Sequence, residues 1–92
     1  MTDLVGRTSV GVMQVLELDE AVARGLDVPP GATRALISVD GKARWRDDGM
    51  PPTASQGHSM VDEYMFYGGP LTTIKFIAQA GPDAVVTASF YR

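Results

Sequence analysis

The sequence predicts an all-β domain, a small antiparallel β-sandwich or barrel of six to seven short strands with at most one short helix. Three observations lead there. Apolar and polar residues alternate with a period of two in several stretches, as half-buried strands require. Ten glycines and six prolines fall mostly between those stretches, where turns need them. Turn signals recur about every ten residues, the spacing of a small all-β fold.

Residues 1–7 read as a flexible N-terminal arm and 8–92 as a single β domain. From Thr8 to Leu18, Val10, Val12, Leu16 and Leu18 share one face, with Gln14 the exception. Asp19 to Gly25 reads either as one or two helical turns, capped by Asp19 and ended by Gly25, or as an irregular loop. Val28-Pro29-Pro30-Gly31-Ala32 is a connection, because two prolines remove two backbone donors.

Arg34 to Asp40 alternates again, with Ala35, Ile37 and Val39 on one face. Asp40-Gly41 predicts a two-residue hairpin turn, which needs positive φ at both positions. Ala43 to Arg46 then returns, with Trp45 inward and Arg44 and Arg46 outward. Asp47 to Pro52 is a second connection. Thr53 to His58 is polar and reads as extended. Met60 to Tyr67 is rich in strand formers, without a clear inward face. Gly68-Gly69-Pro70 breaks the chain. Thr72 to Gln79 alternates, with Ile74 and Phe76 together; Ala80 to Asp83 reads as a turn. Ala84 to Tyr91 is the last strand, with Val86 and Phe90 on one side. The expected core is Val10, Val12, Ile37, Val39, Trp45, Ile74, Phe76, Val86 and Phe90.

Composition narrows the function. The chain has 92 residues, 45% of them hydrophobic and 21% charged, with no cysteine. That is a globular composition with one thin core. Disulfides and thiolate metal sites are excluded. The net charge of −3, without a run of Lys or Arg, argues against a nucleic-acid partner. No apolar stretch nears the ~20 residues of a membrane helix. Met1-Thr2-Asp3 lacks the basic start of a signal peptide, so synthesis in a cytoplasm is expected.

Few residues offer chemistry, and each has a plainer reading. His58, the single histidine, lies in Ser55-Gln56-Gly57-His58-Ser59 without a nucleophile-elbow pattern, and reads as a surface histidine. Asp47 and Asp48 lack the spacing of a calcium loop and read as turn residues. Asp62 and Glu63 would point to opposite faces of a strand. Arg44-Trp45-Arg46 resembles a stacking platform for single strands, but the acidic balance favours a core tryptophan flanked by arginines paired with Asp47, Asp48 or a neighbouring subunit. Tyr64, Phe66, Tyr67 and Tyr91 offer an alternative, an aromatic platform for a carbohydrate or other ligand. No catalytic residue, cofactor or metal is expected, and the chain reads as a non-enzyme.

The stretch from Ala35 to Ser55, with its core Arg44-Trp45-Arg46-Asp47-Asp48-Gly49 followed by Pro52-Thr53-Ala54-Ser55, resembles small structural proteins of tailed bacteriophages and prophages. Leu71 to Ile77 and the closing pair Phe90-Tyr91 extend the likeness, which runs from about residue 28 to the end. The chain departs from the pattern at Met60 to Tyr64, where a glycine-rich turn is usual. The resemblance implies a virion structural protein, a capsid decoration or cement protein above all, with a tail or head-fibre component as the alternative. It implies the major capsid protein or other virion proteins as partners, a homo-oligomer (dimer or trimer), and residence in the virion. No catalytic residue comes with it. The expected interface residues are Arg44, Arg46, Asp47, Asp48, Tyr67 and Tyr91.

Overall fold

The alternation of Ala35, Ile37, Val39, Ala43 and Trp45 runs through a single strand of 13 residues. The computed structural model describes residues 7–79 and 84–92. Among these residues are six strands and no helix: β1 (Gln14–Glu17), β2 (Arg24–Gly25), β3 (Arg34–Arg46), β4 (His58–Tyr67), β5 (Lys75–Ala78) and β6 (Val85–Tyr91). Every strand pairing is antiparallel. The sheet order is β1-β6-β3-β5-β2, with β4 on the other side of β3.

β3 organises the sheet. One side pairs with β4 from Ala35↔Tyr67 to Trp45↔His58. The other side pairs first with β6, over Arg34 to Asp40, and then with β5, over Ala43 to Arg46. The partner changes at Asp40-Gly41, so the expected hairpin turn there is corrected to a β-bulge. The register slips between Val39 and Lys42, so that Asp40 and Gly41 face Asp62 alone. Gly41 has φ +95° and Asp62 φ +47°, and Asp62 Oδ1 accepts from the Gly41 N–H at 2.7 Å. Asp-Gly supplies positive φ for a bulge as readily as for a turn. A bulge bends its strand and increases its twist, and the sheet curls into a nearly closed barrel. Tyr67 and Trp45 belong to opposite ends of the β3–β4 ribbon, yet their rings meet edge-to-face at 5.9 Å.

Side chains from every long strand fill the interior. Ile37, Ile74, Phe76 and Val86 are fully enclosed, and Val39 and Phe90 nearly so, as their alternation predicts. β5 is buried on both faces, Ile77 included, and lies between β3 and β2 in the sheet. Val10 and Trp45 are only partly buried, packed against this core. The assignments of Val10 and Trp45 to the core are corrected accordingly: both lie at its margin.

Val12 is a larger correction, since 84% of it is exposed. The Val10 N–H still donates to the Phe90 carbonyl at 2.9 Å. The chain then leaves the ladder at Gly11, which turns at φ +68° against Pro29, and pairing resumes at Gln14↔Ala88. The phase of the alternation is lost between. Gln14 breaks the apolar pattern for a reason: its amide bonds both backbone groups of Asp27, at 2.6 and 2.8 Å. That double bond ties β1 to the segment following β2 and helps to close the barrel.

Asp19 does cap a turn, its Oδ1 accepting from the N–H groups of Ala21 and Val22, both at 2.9 Å. No helix follows: the segment is irregular as far as Ala23 and then enters the short strand β2 at Arg24–Gly25, which neither reading expected. Thr53 to Gln56 is a tight turn rather than an extended stretch, closed by Thr53 N–H to Gln56 O at 2.9 Å. Most of the expected arm, and the expected turn at Ala80 to Asp83, lie outside the described residues. Pairing has begun by Thr8, which exchanges backbone hydrogen bonds with Arg92 at 3.0 and 3.3 Å.

Candidate functional site

The Arg44 to Asp48 segment ends β3, and its side chains fall to alternate sides. Arg44 reaches across to the turn that precedes β4. Its Nε donates to the Ala54 carbonyl at 3.2 Å and its NH1 to the Gly57 carbonyl at 3.0 Å. The guanidinium fork therefore holds that turn against the barrel. Arg46 forms a two-pronged pair with Asp48, with Nε to Oδ1 at 3.1 Å. Arg46 and the Met50 N–H draw the Asp48 carboxyl down to about 2.

Tyr67 was expected at an interface, and the structure places it inside, 7% exposed. Its hydroxyl donates to Asp47 Oδ2 at 2.7 Å. Burial first, then the bond to Asp47, raises the phenol above its ordinary range. Tyr67 is thus a protonated donor that fixes Asp47, while Thr73 Oγ1 donates to the Asp47 carbonyl at 3.1 Å. At the Trp45↔His58 pair that ends the ribbon, the His58 ring lies tilted beside the Trp45 ring, centroids 4.5 Å apart. Arg46, Asp47, Asp48, Gly57 and His58 line a shallow cleft of about 340 Å³.

Among the described residues no three His, Cys, Asp or Glu side chains gather as metal ligands. The polar groups of Arg44, Arg46 and Asp47 are directed at partners within the chain, so the cluster locks the open end of the barrel. Tyr91 stands apart from it, at the far end of β3 opposite Arg34. The proposed aromatic platform is divided as well. Tyr64 and Phe66 meet edge-to-face at 5.9 Å on the outer surface, whereas Tyr67 points into the core.

Sequence reasoning missed the exposed apolar surface. Val12, Met13 and Val15 are 84%, 60% and 55% exposed, within four residues of one another. The alternation had assigned Val12 to the core, and only the Gly11 turn, a long-range packing event against Pro29, reveals otherwise. Among the described residues β4 pairs only with β3, and its other edge is guarded. Asp62 kinks it, and Glu63 Oε1 accepts from the Val61 N–H at 3.3 Å, so strand addition is disfavoured at its middle. Comparison with protein-family models, curated proteins and solved structures gives no match.

Proposed function

We propose that the chain is a non-enzymatic structural protein of a phage virion, a capsid decoration protein that binds the outer shell of the head. The observation that carries a docking role is the run Val12, Met13 and Val15, which leaves three apolar side chains in solvent, two in the segment leading into β1 and one within it. Burying one such side chain is worth about 1.5–3 kcal/mol, and a pre-ordered β scaffold loses little entropy on docking. The Arg-Trp-Arg-Asp-Asp-Gly resemblance supplies the phage context, and the major capsid protein is the partner it suggests. The cluster around Tyr67 serves stability in this reading, because its hydrogen bonds close on the chain itself.

Binding to purified heads that lack the chain tests the proposal. Wild type is expected to sediment with the heads, and a Val12→Asp/Met13→Asp variant to remain in solution while keeping its fold. Equal binding by the variant, or none by wild type, overturns the proposal.

A further inference from the structure

The strand register defines a broader surface on the barrel, the outer face of the four strands β1, β6, β3 and β4, which meets the docking run at Val15. One row across it is Val15, Thr87, Ser38 and Tyr64; the next is Ser89, Leu36 and Phe66. These rows hold no charged side chain. At one end of the face stands Arg34, beside Tyr91. It lies along Gly68, which leaves room for the guanidinium. At the other end Glu17 and Asp40 flank Val85. The face is therefore apolar and hydroxylic in the middle, basic at one end and acidic at the other.

We propose that this face packs against the same face of a second copy, about a two-fold axis that lies in the interface across the strands. That axis reverses one sheet over the other. It sets Arg34 of each copy over Asp40 of its mate, because both project from the same side of β3, six residues or ~20 Å apart. A different partner would have to carry the opposite charges at that same spacing; a second copy carries them by symmetry. Two such sheets pack ~10 Å apart with their strands nearly aligned. Four strands at ~4.8 Å spacing and ~20 Å length give a footprint on the order of 400 Å². Counted over both copies that is roughly 800 Å², below the size of stable interfaces, so the dimer is weak and reversible. The inference concerns the free protein and does not rest on the virion reading.

Sedimentation velocity from micromolar to millimolar concentration tests it. Wild type is expected to move from the 9.8 kDa monomer toward twice that mass as concentration rises. Ser38→Arg sets like charges near the axis and should stay monomeric throughout, with an unchanged circular dichroism spectrum. Arg34→Asp and Asp40→Arg should each weaken the dimer about tenfold, and the double swap should restore it. A monomeric wild type, a dimeric Ser38→Arg, or a double swap no better than the single swaps overturns the inference, whatever the outcome of the head-binding assay.

Discussion

Tyr67 donates its phenolic hydrogen to Asp47 Oδ2 at 2.7 Å across 20 residues of sequence. The bond links the end of β4 to the loop that leaves β3, and so helps hold the curled ribbon shut. Tyr67→Phe removes it and leaves the Asp47 carboxylate one partner short. The expected cost is about 1–3 kcal/mol, read from urea denaturation at neutral pH.

The same bond predicts alkaline sensitivity. Burial and Asp47 raise the folded-state phenol above its ordinary value of 10.0. The unfolded chain therefore gives up this proton first as pH rises. The stabilisation is complete below pH 10.0 and is lost as pH climbs from there toward the folded-state pKa. Denaturation midpoints across that range should fall less steeply in Tyr67→Phe than in wild type. Parallel slopes would show that Tyr67 is not the group responsible.

Asp48 titrates at the opposite extreme. Its carboxyl is held at about 2, first by the Arg46 side chain and then by the Met50 N–H. Arg46→Ala should raise it toward the ordinary 3.8, read from the carboxyl carbon shift by NMR. Both groups are exposed, so global stability should scarcely change.

Two substitutions separate the core from the docking run. Phe76→Ala empties a fully enclosed site and should cost about 3–5 kcal/mol, a large share of the stability of so small a domain. Val12→Asp should change stability by less than about 0.5 kcal/mol. Trp45→Ala should fall between them, because its ring is half-buried. Thermal melts of the three variants give the order directly.

The bulge and the approach beneath Tyr67 each depend on a glycine. Gly41→Ala places a side chain at φ +95° and should cost about 1–2 kcal/mol. At Gly69 an added Cβ would lie 2.6 Å from the Tyr67 hydroxyl. Gly69→Ala should therefore displace the phenol, and its loss of stability should be largely absent in a Tyr67→Phe background, as a double-mutant cycle would show.

Most of the strands were legible because each turns one apolar face inward. Ile37, Val39, Val86 and Phe90 lie where their alternation predicts. Asp40-Gly41 misleads because one backbone conformation serves both turn and bulge. The discriminating signal was present: apolar residues keep the same odd-numbered phase from Ala35 through Trp45, with Gly41 in step, as one continuous strand would. Val12 could not be placed, since its phase depends on Gly11 meeting Pro29 across the fold. The Tyr67–Asp47 bond joins segments that only the curl of β3 brings together, whereas the Arg44 clamp follows from the pairing of Arg44 with Ser59. Asp40-Gly41 marks where β3 bends, but not how closely its two ends then approach.

Cryo-electron microscopy of the virus particle that carries this chain tests the decoration reading most directly. The expected result is density for the barrel repeating over the outer surface of the head shell, with the Val12 to Val15 margin against the major capsid protein. Density confined to the tail, or no density on the particle, would contradict it.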